Sequence, residues 1–293
     1  MIVLVANPAS GEGKGGRMMP RAIQALATLG RDHRVVVSED GDHPERAARE
    51  AAASGAEVVV ALGGDGLVSA CANALIGTGV PLAIVPTGTG NDFARRLGLD
   101  HRRPLRSIGL LERGVRRSVD SVRAEGPGWA RHYVCVAGAG FDSATNALAN
   151  TMRHLRGTVK YVVAVARTLR TFRSAEFHVV TDDEDLRLDA MMVAVANAAS
   201  YGGGMMVCPE ALVDDGVLDL CLVGAMSRRR FVAAFPRVFR GTHVSHPDVT
   251  MLRSRSVTLD ASRPFDVYAD GERFGPLPAT FTVEPGTLEV IAP

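Results

Sequence analysis

In the first third of the chain, short unbroken apolar runs alternate with stretches whose apolar residues recur at helical spacing. Ile2 to Ala6, Arg34 to Val37, Val58 to Leu62 and Leu82 to Val85 predict strands; Arg17 to Leu29, Pro44 to Ala53, 67–76 and 92–97 predict helices. Unbroken apolar strands are buried on both faces, and strict strand–helix alternation means a parallel sheet covered by helices and wound right-handed. A Rossmann-like α/β domain with a parallel sheet is expected here.

From about Val119 the period changes to two. Arg131 to Val136, Ala175 to Thr181, Leu186 to Ala196, Val217 to Val223, Val249 to Asp260, Phe265 to Ala269 and Thr280 to Val283 read as strands, with Asp182 to Asp185 as a solvated hairpin turn. Helical stretches near 157–172 and 227–239 interrupt them. The pattern predicts a second, mostly antiparallel β domain, with no repeat, low-complexity tract or long linker between the two.

The length, 293 residues, and a hydrophobic share of 46% suit one large or two ordinary domains. A formal charge of +1 argues against nucleic acid as a partner for the surface as a whole. Four cysteines, Cys71, Cys135, Cys208 and Cys221, lie far apart in apolar contexts and read as reduced thiols of a cytosolic core. No charged leader precedes the first apolar run and no run approaches the ~18 residues of a membrane span, so a cytoplasmic protein with at most peripheral membrane contact is expected. Lys14 and Lys160 are the only lysines beside the arginines, a bias suggesting a GC-rich bacterial genome.

Two glycine-rich turns follow consecutive predicted strands: Gly63-Gly64-Asp65-Gly66 and Thr87-Gly88-Thr89-Gly90-Asn91-Asp92. Both would face the carboxyl edge of the sheet, where α/β domains bind ligands. Glycine lets a backbone approach phosphate closely, helix N-termini aim N–H groups at anions, and Asp65 and Asp92 add carboxylates suited to Mg²⁺. Asp65, Asn91 or Asp92 could each simply cap a helix; two such turns on neighbouring elements, beside a third glycine loop, favour a nucleotide phosphate site. That third loop, Asn7 to Arg17, contains Gly11-x-Gly13-x-x-Gly16 with Glu39 further on, but Asn-Pro-Ala-Ser displaces the tight turn of a dinucleotide fingerprint. Walker A fails because Gly15 follows Lys14, which remains placed to reach a phosphate as a point charge.

Asp270-Gly271-Glu272 reads on its own as a two-residue hairpin turn. Tyr201 to Met206 reads as a pliable loop and Ala211 to Gly216 as a turn, and His243-x-x-His246 lacks a third metal ligand. Two stretches are basic without acids: Arg153, Arg156, Lys160, Arg167, Arg170 and Arg173, then Arg228, Arg229, Arg230, Arg237 and Arg240 beside Phe231, Phe235 and Phe239. Either is a solvated face over a core stripe or a contact with an anionic membrane surface.

These motifs taken in order resemble the soluble bacterial diacylglycerol kinase and lipid kinase family, related to sphingosine kinases: NPASGEGKG, ALGGDG, VPTGTGNDFAR, GGGMMVCPEALVDDGVLDL and DGERFGPLPATFTVEPGTLEV. The resemblance implies a nucleotide-binding α/β catalytic domain over 1–121 plus about 285–293, and a β-sandwich lipid-substrate domain over 122–284. It implies ATP held by Asn7, Ser10, Gly11, Lys14, Arg17, the two glycine turns with Thr89, and Lys160. It implies catalytic Mg²⁺ in an acidic network of Asp65, Asp92 and Asp120, and a structural Mg²⁺ at Leu212, Asp215 and Val217. Glu272 would be the general base, Asp270 its neighbour, with Asp65 and Lys14 also catalytic. Leu67, Ser69, Ala70 and Val37 depart from the family pattern and remove two hydroxyls and a carboxylate from the nucleotide side.

The expected reaction is ATP-dependent phosphorylation of a lipid hydroxyl, diacylglycerol first among substrates, at the inner-membrane surface, with a homodimer left open. Asp270 is the neighbour expected to raise the pKa of Glu272. An NAD kinase and a lipid-binding protein without catalysis are the alternatives.

Overall fold

The structure, a computed structural model, describes residues 1–38, 41–152 and 157–293, and side chains outside 157–161. The chain divides into two compact units, Met1–Ser121 with Glu284–Pro293, and Val122–Val283.

In the first unit β1 (Ile2–Ala6), α1 (Ser10–Thr28), β2 (His33–Val37), α2 (His43–Ala53), β3 (Val58–Gly63), α3 (Asp65–Leu75), β4 (Leu82–Pro86) and α4 (Asp92–Arg96) follow one another, then α5 (Leu110–Arg113). The strands pair in parallel in the order β4, β3, β1, β2, with Ile2 opposite both His33 and Val58 and Leu62 opposite Val85. β1 and β3 are buried along their whole length, as unbroken apolar runs require. Ile2, Leu4, Leu62 and Val85 pack with Ala22 and Leu26 of α1 in one core cluster. The parallel register sets the carboxyl ends of β1, β3 and β4 side by side, which brings their three turns together.

The glycine loop expected before Arg17 is drawn into α1, but Gly11, Glu12 and Gly13 have φ of 55°, 56° and 82°. A left-handed turn therefore precedes the regular helix. Gly11 is required there, since a Cβ on it would lie 2.0 Å from the Thr87 carbonyl oxygen.

The unit boundaries fall inside two strands, β5 (Val115–Gly126) and, at the end of the chain, β15 (Ala279–Ala292). Between them run β6 (Trp129–Tyr133), β7 (Val136–Gly140), α6 (Phe141–Thr151), α7 (Gly157–Thr171), β8 (Ala175–Val180), β9 (Asp185–Ala196), β10 (Leu218–Gly224), α8 (Arg228–Ala234), β11 (Val249–Ser254), β12 (Ser256–Ala261), β13 (Asp266–Ala269) and β14 (Glu272–Pro276). Pairing in the second unit is antiparallel. The first half of β9 pairs with β8 and its second half lies between β7 and β10. Phe177, Val193, Val195, Leu220, Leu259, Phe281 and Tyr133 meet in its core, and the buried Tyr133 hydroxyl donates to the Val195 carbonyl at 3.0 Å. This is the antiparallel sandwich expected for the second domain.

Four local readings change. The run 131–136 is two strands, because the N–H groups of Val134, Cys135 and Val136 turn to the Asp270 carboxylate. The run 249–260 breaks at Arg255, whose N–H goes to Asp182 Oδ2 at 2.6 Å. The helix expected over 227–239 ends at Ala234 and continues as a 3₁₀ segment, Phe235–Arg240, because Pro236 has no N–H to continue the ladder. The glycine-rich β7 and the helix α6 after it were not expected.

All four cysteines are free and buried, and burial pushes the Cys71 and Cys221 thiols up to about 12. Among the described residues no helix is long and apolar enough to cross a membrane.

Candidate active site

In the first unit, Ser10 ties two turns together. Its Oγ donates to the Asn7 carbonyl at 2.8 Å and lies 2.7 Å from Thr87 Oγ1, while Asn7 Oδ1 accepts the Ala9 N–H at 2.9 Å. Gly64 and Gly88 bring the other two turns into backbone contact, since a Cβ on Gly88 would lie 2.5 Å from the Gly64 Cα. Thr87 N–H completes the join by donating to the Gly63 carbonyl at 2.8 Å.

Asp65 stands in the first turn of α3 and accepts from the next helix. Its Oδ2 takes the Asn91 N–H and its Oδ1 the Asp92 N–H, both at 2.8 Å. Asn91, left-handed at φ 54°, closes the turn by accepting from Gly88 N–H at 2.9 Å and donating to the Gly88 carbonyl at 2.7 Å. A Cβ on Gly90 would meet Asp65 Oδ2 at 2.6 Å and Asp92 Oδ2 at 3.1 Å, so both carboxylates crowd that glycine. Burial first, and the Asp92 charge second, push the Asp65 carboxyl up, against the pull of the two N–H bonds.

Thr87, Asn91 and Asp92 are buried, whereas Gly66, Thr89 and Arg17 are exposed around them. Lys14 is half-buried and its Nζ donates to the His101 carbonyl at 3.4 Å. The turns offer glycine-lined backbone and the N-terminus of α3 to an anion. Asp65 and Asp92 fit Mg²⁺, which is commonly held by one or two carboxylates with substrate phosphates completing its shell.

Asp120 does not join them. It is buried, its Oδ1 accepts the Gly286 N–H at 2.8 Å, and no group of three acidic, histidine or cysteine side chains suited to a metal occurs among the described residues. Leu67, where the resemblance leads one to expect threonine, is buried, its side chain filling the space a Cβ on Gly63 would need. The Lys160 side chain, Arg153, Arg156 and Glu39 lie outside the described residues.

In the second unit, Asp270 and Gly271 form the hairpin turn between β13 and β14, with φ of 49° and 88°. Positive φ at both central residues is the type I′ geometry that Asp-Gly favours. Glu272 follows, exposed, its Oε2 accepting from Arg131 Nη2 at 2.9 Å. Asp270, expected as its catalytic neighbour, accepts with its two oxygens the N–H groups of Val134 at 3.0 Å, Cys135 at 3.1 Å and Val136 at 3.2 Å.

The expected structural cation site, Leu212, Asp215 and Val217, lies on the stretch leading into β10. Asp215 Oδ1 takes the Val217 N–H at 3.2 Å and Oδ2 pairs with Arg253. Arg253 stands directly across β10–β11 from Asp219, a buried acid with Nε 3.6 Å from its Oδ1. Burial pushes the Asp219 carboxyl up to about 6, and its Oδ2 has no hydrogen-bond partner among the described residues.

Two of the concavities among the described residues of this unit are relevant to a ligand. One of about 460 Å³ is open and lies against α6, with Arg263 stacked on Phe172 and Phe265. The other, about 70 Å³, is lined by Met192, Met205, Met226, Val223, Phe231 and Phe235, with Asp142, Tyr201, Cys221 and His243 as titratable groups in its wall. Asp142 escaped the sequence reading, although a strand ending in glycine and running into Phe141 repeats the strand–turn–helix pattern of the first unit.

Residues 1–124 match the diacylglycerol kinase catalytic domain, and residues 135–292 match the YegS C-terminal NAD kinase beta sandwich-like domain. A diacylglycerol kinase of Mycobacterium tuberculosis is 34% identical over 294 residues, covering 100% of this chain and 95% of the relative. A diacylglycerol kinase of Bacillus subtilis is 25% identical over 99% of this chain and 95% of its own length. The crystal structure of a diacylglycerol kinase from Bacillus anthracis superposes with a TM-score of 0.77 at 21% identity, covering 100% of this chain and 96% of that one, a likeness of fold. Two domain matches in chain order and relatives aligned end to end place the chain in the diacylglycerol and lipid kinase family, phosphotransferases that act on alcohols.

Proposed function

We propose that this kinase phosphorylates the free hydroxyl of diacylglycerol with ATP and Mg²⁺ at a membrane surface. The observation that carries the reading is the Asp65–Asp92 pair beneath two glycine turns in backbone contact: a cation-binding pair beside an anion cradle. The relatives named for diacylglycerol support the choice of lipid.

Asp65 and Asp92 would hold Mg²⁺, which when bound neutralises charge on the transferring phosphoryl group. The turns position the phosphates through backbone N–H groups, and Lys14 gives up the His101 carbonyl, a long hydrogen bond, for a phosphate oxygen. Glu272 accepts the proton of the attacking hydroxyl. Its pairing with Arg131 is exposed and of the kind worth at most about 1 kcal/mol, so exchange for a substrate hydroxyl is cheap. The apolar cavity of the second unit takes acyl chain, its three methionines being unbranched and adaptable.

The segment 228–240 supplies the membrane contact. Phe231, Phe235 and Val238 line the cavity, while Arg228, Arg229, Arg237 and Arg240 are exposed beside Val232, 56% exposed, and Phe239, 51% exposed. Exposed apolar residues among arginines suit an anionic bilayer, at about 1 kcal/mol per cation.

The test is incubation of the purified protein with labelled ATP and Mg²⁺ against diacylglycerol in anionic vesicles, other lipid alcohols, and NAD. Labelled phosphatidic acid is the expected product. Labelled NADP would overturn the reading; lipid binding with no labelled product would mean that Leu67 and Ala70 mark a chain without catalysis.

A further inference from the structure

The larger of the two concavities of the second unit, about 460 Å³, has no part in the phosphoryl transfer above, yet small-molecule sites commonly measure about 300 to 1,000 Å³. Its wall carries one unanswered charge. The titratable groups there are Arg263, Asp266 and Tyr268. Asp266 is already matched, since Arg273 donates to its Oδ2 through Nε and to its Oδ1 through Nη2, both at 2.8 Å. Burial pushes the Tyr268 phenol up, so it stays neutral. Arg263 is exposed and forms no ion pair among the described residues.

The Arg263 guanidinium is nevertheless held in place. Its Cζ lies 4.7 Å from the centre of the Phe265 ring and 5.1 Å from that of Phe172, and its Nη2 donates to the Arg173 carbonyl. Phe265 in turn stacks on the fully buried Phe177 at 5.4 Å and 14°. The turn carrying Arg263, between β12 and β13, is fastened at both ends: Ser262 N–H donates to the Glu176 carbonyl and Leu277 N–H to the Phe265 carbonyl, each at 2.9 Å. Nε and Nη1 have no hydrogen-bond partner among the described residues. A guanidinium fixed on aromatic rings offers those N–H groups as a planar fork and loses little freedom on binding an anion.

The rest of the wall is apolar. Ala144, Ala147 and Leu148 stand at i, i+3 and i+4 on one face of α6, with Phe172 beside them. Exposed Arg170 and Arg173 flank Phe172 in sequence and add positive charge at the end of α7. A fork-shaped cation with an apolar wall beside it fits a phosphate that carries hydrocarbon.

We propose that this concavity is a second lipid site, separate from the acyl-chain cavity, in which Arg263 binds the phosphate of an anionic phospholipid and the α6 face takes the start of its chains. Neither Arg263 nor α6 takes part in the transfer described above, so binding here and phosphorylation can fail independently.

The test is calorimetric binding to the purified protein, without ATP, of dihexanoyl phosphatidate, dihexanoylglycerol and inorganic phosphate, the lipids kept below their micelle concentrations. Phosphatidate should bind at least about tenfold more tightly than inorganic phosphate, which burial of two CH₂ groups accounts for. Arg263→Gln should weaken phosphatidate binding about 10- to 100-fold, as expected for loss of a hydrogen-bonded charge. Arg263→Lys, which keeps the charge without the fork, should weaken it less. Dihexanoylglycerol binding should not respond to either change, nor phosphatidate binding to Asp65→Asn. Thermal melts establish that the variants are folded.

Phosphatidate binding that withstands Arg263→Gln, or that falls with Asp65→Asn instead, would overturn the inference, as would no binding at all. Inorganic phosphate bound as tightly as phosphatidate would overturn the lipid assignment and leave a site for free phosphate. Phosphorylation of diacylglycerol in neutral detergent micelles, which Arg263→Gln should leave at the native rate, is followed alongside. Arg263-dependent binding without any phosphorylated lipid would sink the kinase reading alone; phosphorylation with no Arg263-dependent binding would sink this inference alone.

Discussion

An aspartate–glycine pair stands at a chemically suggestive turn in each unit, and the two aspartates do different work. Asp65 accepts two backbone N–H groups and lies against a second carboxylate, which together with burial raises its pKa. Asp270 accepts three backbone N–H groups across more than a hundred residues of chain and fastens the hairpin turn to the stretch joining β6 and β7. The local sequence is the same; the partners differ. Backbone amides use both oxygens of each carboxylate; what sets Asp65 apart is the second carboxylate, Asp92, standing beside it.

Glu272→Gln sharpens this comparison most. Loss of the base should lower kcat by about 10²- to 10⁴-fold, with stability within about 0.5 kcal/mol of native, measured by steady-state assay and urea unfolding. Asp270→Ala should do the reverse to stability, costing roughly 3 kcal/mol because three N–H groups lose a charged acceptor. If Asp270→Ala unfolds like the native protein, its assignment as a clamp is wrong.

Asp219 provides a pH test. Its carboxyl, raised to about 6 by burial, keeps a proton in the folded chain that the unfolded chain, near 3.8, has already released. The folded state therefore binds more protons between those values, and stability should fall by about 2 to 3 kcal/mol as pH rises from about 4 to 6, then level off. Asp219→Asn should flatten that slope in urea midpoints taken across the range.

Gly88→Ala forces a Cβ against the Gly64 backbone and should open the cradle at a cost of about 1 to 3 kcal/mol, read as a raised KM for ATP. The smallest effect belongs to Arg131→Ala. Its exposed pair with Glu272 and its stacking on Phe274 should together be worth no more than about 1 kcal/mol in unfolding.

Much of the first unit was legible because its signals are local. β1 and β3 are unbroken apolar runs, and GGDG and TGTGND announce their own turns. β7 was hidden because Val-Ala-Gly-Ala-Gly has little of the β-branched content that marks a strand, and with it went α6 and Asp142. The break at Arg255 depends on Asp182, and the partners of Asp270, Asp215 and His243 are equally remote in sequence. No window along the chain contains those contacts, so site residues could be named from motifs while their hydrogen-bonding roles could not.

The buried cysteines have a practical side. Thiolate is the species that alkylating dyes attack, and four enclosed thiols, two of them pushed up to about 12, leave the native surface without a competing nucleophile of that kind. A single cysteine introduced at exposed Arg240 would then be the one site that takes a maleimide fluorophore, without first stripping the chain of its own cysteines. Such a label turns the arrival of the protein at a vesicle into an optical signal that can be timed independently of turnover.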